Sequence, residues 1–113
     1  MADDCLFCRI VRREIPATLV FEDDHVVAFR DINPQAPTHV VVVPREHVTS
    51  LNEATDAAMI GRLSLAAATI AHAAGVAESG YRTVVNTNRD AGQTVFHIHL
   101  HLLGGRHMSW PPG

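Results

Sequence analysis

His97-Ile98-His99-Leu100-His101-Leu102-Leu103 decides the reading of this chain. Side chains on a β-strand point to opposite faces with period two. On a strand over residues 96–103, the three imidazoles share one face. Ile98, Leu100 and Leu102 share the other, which looks inward. Neighbouring imidazole stems would then stand roughly 7 Å apart. Histidine titrates near neutrality and can donate, accept, attack or ligate metal. Three on one face make a poor core and a good site.

Outward from that strand, the rest of the chain reads as an antiparallel α+β domain spanning residues 1–113. Residues 5–13 alternate apolar and basic and form a short helix ended by Pro16. Residues 18–22 and 25–30 are two strands of a hairpin around Asp23-Asp24. Asn33-Pro34 and Ala36-Pro37 make 31–37 a loop. The β-branched run 39–43 is a buried strand stopped by Pro44. In the long helix over 53–74, Met59, Leu63, Ala66, Ile70 and Ala73 share a face, and Gly75 stops it. A strand at 81–86, a polar loop at 86–94 and the histidine strand complete the order β-β-β-α-β-β.

Composition narrows the function. The chain is 47% hydrophobic, enough for a core, and its formal charge of −3 gives no basic surface for nucleic acid. No apolar run approaches the ~20 residues of a membrane span. Met1-Ala2-Asp3-Asp4 lacks the basic-then-apolar order of a signal peptide, so a cytoplasmic protein is expected. The two cysteines form Cys5-x-x-Cys8 ahead of any strand, which does not suit a thioredoxin-like redox pair. With eight histidines in the chain, half of a zinc site is the better reading.

The histidine run fits His-φ-His-φ-His-φ-φ and resembles the signature of the histidine triad (HIT) superfamily. Asp31-Ile32-Asn33-Pro34-Gln35-Ala36-Pro37-Thr38-His39, Pro44-Arg45-Glu46-His47, Gly92-Gln93-Thr94-Val95 and the ending Trp110-Pro111-Pro112-Gly113 are similar to its Hint branch. The resemblance runs from about Cys5 to Gly113. It implies a five-stranded antiparallel sheet with one long and one short helix. It also implies a homodimer whose sheets join into ten strands. The implied activity is purine nucleotide binding and hydrolysis of nucleoside 5′-phosphoramidates.

The same resemblance assigns roles. His99 attacks phosphorus and forms a nucleotidyl-imidazole, which water releases. Neutral imidazole is a competent nucleophile at pH 7. His101 donates to phosphate oxygens or the leaving group, and His39 joins it in a proton relay. Asn86, Gly92, Gln93 and Thr94 meet the phosphate. Asp31 accepts the ribose hydroxyls, and Leu6, Phe7, Phe29 and Ile32 form a slot for the base, with Ile15 as a possible addition. Arg30 stands where some relatives carry histidine. Where the branch carries C-x-x-C it resembles a zinc site, completed here by His47 and by His97, the first of the triad. Zinc would be structural, with no metal needed in the chemical step. Otherwise His97 is free to join the catalytic triad.

Each of these residues has a plainer reading. The His-x-His pairs can instead ligate a catalytic metal. Asp31 can be a turn residue before Asn-Pro, His39 a satisfied core histidine, Asn86 a strand end, and Gln93 and Thr94 loop polarity. The apolar slot can be core, and the cysteines inert thiols. At the level of function, the alternative is a nucleotide-sensing regulatory or scaffold protein with incidental hydrolysis.

Overall fold

The computed structural model describes residues 4–113. Met1-Ala2-Asp3, on which part of the compartment reading rests, lies outside the described residues. The elements run α1 (Leu6–Val11), β1 (Leu19–Glu22), β2 (Val26–Arg30), β3 (Thr38–Pro44), α2 (Ala57–Ala73), β4 (Tyr81–Val84) and β5 (Leu100–Gly104), with short 3₁₀ turns at Leu51–Glu53 and Arg89–Ala91. The strands form one sheet in the order β1-β2-β3-β5-β4, every neighbouring pair antiparallel. The expected five-stranded sheet with one long and one short helix is the observed architecture. Among the described residues no helix is long and apolar enough to cross a membrane.

Both faces of the sheet are covered. On one, α2 packs Met59, Leu63, Ala66, Ala67, Ile70 and Ala71 against Val26, Ala28, Val40, Val42, Ile98, Leu100 and Leu102. On the other, Phe7 and Ile10 of α1 meet Val27, Phe29, Val41 and Val43. A strand covered on both faces needs a continuous apolar run, which explains Val40-Val41-Val42-Val43.

Several boundaries move from the sequence reading, the end of α1 at Val11 among them, and three bear on the long helix and the site. The long helix begins at Ala57, because the Asp56 carboxylate caps it by accepting from the Ala58 N–H at 2.9 Å. It ends as expected at Gly75, whose φ of 77° only glycine adopts without strain. There the Gly75 and Val76 N–H groups return to the carbonyls of His72 and Ala71. Ala73 is exposed rather than on the buried face. The strand expected at 81–86 stops at Val84.

The third correction concerns the histidine segment. β5 starts only at Leu100, so His97, Ile98 and His99 lie outside the ladder. Val42 pairs with Leu100, so the next partners on β3 would be Val43 and Pro44. Pro44 has no N–H to donate, and its carbonyl is taken by the His97 ring at 2.8 Å. Ile98 N–H bonds instead to the Val48 carbonyl at 2.6 Å. The alternation survives this departure. Ile98, Leu100 and Leu102 are buried under α2, while the histidines lie on the α1 face, His99 against Phe7.

Candidate active site

Four elements bring the site together on the α1 face. β3 pairs Val41 with His101, and His39 lies two residues along β3 on that same face. β4 pairs Val84 with His101. Continued two residues, that register brings partly buried Asn86 level with His99. α1 lays Phe7 edge-on against the His99 ring, with centroids 4.9 Å apart and planes at 88°. The rings of His99 and His101 are 5.0 Å apart.

Burial keeps these histidines neutral. It pushes His101 down to about 4, with the neighbouring His99 and His39 adding to the effect and Asp31 opposing it. It also lowers His99, against the His97 carbonyl and Asp31, and lowers His39, against Asp31. A neutral imidazole carries one proton, so the partner of one nitrogen fixes the state of the other.

That accounting resolves the cluster. His99 Nδ1–H donates to the His97 carbonyl at 2.7 Å, which leaves Nε2 bare. The Gln35 backbone N–H donates to His39 Nδ1 at 3.0 Å, so the His39 proton is on Nε2. His39 Nε2–H then donates to His101 Nδ1 at 2.9 Å, which places the His101 proton on Nε2. One ring thus offers a lone pair and its neighbour offers an N–H.

Asp31 serves two purposes. Its Oδ1 accepts from the Asn33 N–H at 2.8 Å, forming the turn into Asn33-Pro34. Its Oδ2 lies 3.4 Å from His39 Nε2 and 3.9 Å from His101 Nδ1. Asp31, His39 and His101 are close enough to hold a metal ion. The Gln35 N–H argues for a hydrogen-bonded relay there, because it puts the proton on the His39 nitrogen a metal would need.

A second cluster adjoins the first. Cys5 Sγ, Cys8 Sγ, His47 Nδ1 and His97 Nδ1 all lie within 4.8 Å of one another. His97 Nδ1 is 3.4 Å from each sulfur and 3.3 Å from His47 Nδ1, and Cys8 Sγ is 3.2 Å from His47 Nδ1. Tetrahedral zinc with bonds of about 2.3 Å to sulfur and about 2.05 Å to nitrogen sets ligands roughly 3.5 Å apart for S–N and 3.3 Å for N–N. His97 Nε2–H donates to the Pro44 carbonyl, which bares Nδ1 toward the cluster, the usual arrangement behind a metal-bound histidine. The residues therefore fit a structural zinc ion. Both ring nitrogens of His97 are engaged in this way and the side chain is fully buried, so His97 meets the His99 ring through its carbonyl.

The remaining candidates are placed as follows. Phe7 and Phe29 are buried with ring centroids 5.4 Å apart, Leu6 is half-exposed and Ile32 is fully exposed. Gly92 adopts φ 82° at the end of the 3₁₀ turn before the histidine segment. Thr94 is exposed on that loop. Gln93 is buried, and its amide ties the loop together: Oε1 accepts from Asn88 N–H, and Nε2 donates to the Thr49 and Val95 carbonyls. For His99 to attack, a buried acceptor must hold the proton of its far nitrogen; that this is the His97 carbonyl, and that the Gln35 N–H and the Pro44 carbonyl meet His39 and His97, is not visible in the sequence. They are backbone groups, and no residue type signals them.

The HIT domain family model matches residues 12–108. This chain belongs to the HIT family. The purine nucleoside phosphoramidase of Escherichia coli K12 is 51% identical over 108 residues, covering 94% of this chain and 91% of that protein. An uncharacterized HIT-like protein of Synechococcus elongatus is 52% identical over the full length of both. The crystal structure of a HIT family hydrolase from Legionella pneumophila superposes with a TM-score of 0.95 at 52% identity, covering 97% of this chain and all of that one.

Proposed function

We propose that this chain is a purine nucleotide-binding hydrolase that cleaves the P–N bond of nucleoside 5′-phosphoramidates through a nucleotidyl-His99 intermediate. The observation that carries the reading is the fixed pair of neutral tautomers, a bare Nε2 on His99 beside an N–H on His101. The similar Escherichia coli phosphoramidase supports the substrate class.

In this mechanism the His99 Nε2 lone pair forms a bond to phosphorus as the P–N bond to the amine breaks. The His97 carbonyl stabilises the positive charge that develops on the ring through Nδ1–H. His101 Nε2–H donates to a non-bridging oxygen. The amine takes a proton from solvent through the Thr94 hydroxyl. Water then attacks phosphorus and loses a proton to solvent, and the bond to His99 breaks to release the nucleoside monophosphate. Asn86 and the Gly92–Thr94 loop flank the phosphate, Asp31 takes the ribose, and Phe7, Phe29, Leu6 and Ile32 wall the base. Zinc held by Cys5, Cys8, His47 and His97 is structural, and His97 is a positioning residue. In this reading the protein works in the cytoplasm as a homodimer, for which β4, an edge strand, and the 82% exposed Trp110 offer unpartnered surface.

The test is intact mass spectrometry of protein quenched during turnover of adenosine 5′-phosphoramidate. An AMP-sized adduct on His99 is expected. AMP release with no adduct would refute the covalent step, and AMP binding without turnover would make this a nucleotide sensor. A native mass of twice 12.3 kDa is expected, and a stable monomer would remove the joined sheet.

A further inference from the structure

α1 is too short to hold itself. A six-residue helix is marginal in water, because nucleation costs more than one turn returns. Two sets of contacts fix it here. One is apolar, Phe7 and Ile10 against the sheet. The other is the four-ligand cluster, to which α1 brings Cys5 at its N-cap and Cys8 within its first turn. Phe7 lies between those cysteines and meets both Phe29 and the His99 ring.

The opposite side of the cluster has its own anchors. His97 is held by the Pro44 carbonyl, and the following residue, Ile98, by the Val48 carbonyl. Ile98, Leu100 and Leu102 are packed under α2. None of these contacts needs a metal. Loss of the ion therefore removes one of the two anchors of α1, lowering its docked fraction, and leaves the anchors of the histidine segment in place.

We propose that the Cys5–Cys8–His47–His97 cluster is a positioning clamp: with zinc bound it docks α1 and sets nucleotide affinity through Phe7, while the chemical step stays with a segment anchored independently. The inference rests on the nucleotide reading above. Apparent Kd varies inversely with the docked fraction, so docking one tenth of the time weakens binding about tenfold.

Cys5 and His47 line an open depression of about 350 Å³, through which a chelator reaches the ion. The experiment compares zinc-loaded protein with protein stripped by chelator under reducing conditions. It measures AMP Kd by calorimetry, kcat and KM on adenosine 5′-phosphoramidate, and amide exchange. One zinc per chain is expected when loaded. Stripping should raise Kd and KM about tenfold while kcat stays within about twofold, and added zinc should restore both. Exchange should quicken at residues 6–11 and not at 97–104.

Equal AMP affinity with and without zinc overturns the inference alone. So does a fall in kcat at constant KM, which would place the effect on His99 through the His97 carbonyl. Failure to take up zinc, or global unfolding on stripping seen by circular dichroism, overturns it as well. Absence of AMP binding to the loaded protein overturns the nucleotide reading, and the clamp with it. A second variant guards the argument: zinc-loaded Phe7→Leu should keep one zinc per chain yet bind AMP more weakly, and unchanged affinity would refute the role of Phe7.

Discussion

Lowering the pH from 7 to 4 should weaken the fold through His101. Its ring is held at about 4, first by burial and then by His99 and His39, against an ordinary value of 6.5. The folded protein therefore binds that proton less readily than the unfolded chain. The stability contribution is complete above about pH 6.5, declines as pH falls toward about 4 and is level below. At 1.36 kcal/mol per unit, the full loss is about 3 kcal/mol. The side chain is only 20% exposed, so solvent screening removes little of it. His39 shares a hydrogen bond with His101, and the two titrate as a pair. Urea denaturation of wild type and His101→Gln at stepped pH reads the effect of His101 together with its coupling to His39, since carboxylates elsewhere contribute equally to both. Wild type should lose about 3 kcal/mol more than the variant between pH 7 and 4. Parallel stability curves would refute the assignment of a buried, neutral His101.

Four further outcomes follow from the geometry. His99→Ala should abolish turnover of adenosine 5′-phosphoramidate and still bind AMP by calorimetry; retained hydrolysis would exclude a nucleophilic His99. Gln35→Pro removes the N–H that fixes the His39 tautomer, a bias of about 1 kcal/mol, and should lower kcat about fivefold with KM unchanged. Nitrogen-15 NMR at neutral pH should find His99 protonated at Nδ1 and His101 at Nε2, and the reverse pattern would dismantle the proposed chemistry. Leu63→Ala opens a cavity beneath the sheet at a 1% exposed position and should destabilise by about 2–5 kcal/mol in a denaturant melt, with the site chemistry kept.

The sheet, the order of its strands along the chain and the long helix were legible because they rest on patterns of residue type. Period-two alternation survives at Ile98, Leu100 and Leu102, and the period of α2 appears at Met59, Leu63, Ala66 and Ile70. The start of the ladder at Leu100 was not legible, because it depends on a proline placed across the sheet. The side chains of the triad were also legible, but residue type alone did not divide their labour; only the family resemblance did. His97, His99 and His101 are one motif in sequence. In space His97 turns both ring nitrogens away from His99 and His101, toward the cysteine cluster and Pro44.

What separates these three histidines is a set of backbone groups. An imidazole with one proton can be a ligand, a nucleophile or a donor, and its own chemistry does not choose. The Pro44 carbonyl suits His97 to ligate by fixing its proton on Nε2. The His97 carbonyl suits His99 to attack by fixing its proton on Nδ1 and leaving Nε2 bare. The Gln35 N–H acts two rings away, through His39, and makes His101 a donor. Three chemically identical side chains on one short segment thus acquire three different hydrogen-bonding states from the main chain around them. Departure from the sheet at His97–His99 is part of that design. A residue in a regular ladder has its carbonyl committed to a neighbouring strand, whereas the His97 carbonyl, outside β5, is available to orient the ring two residues on.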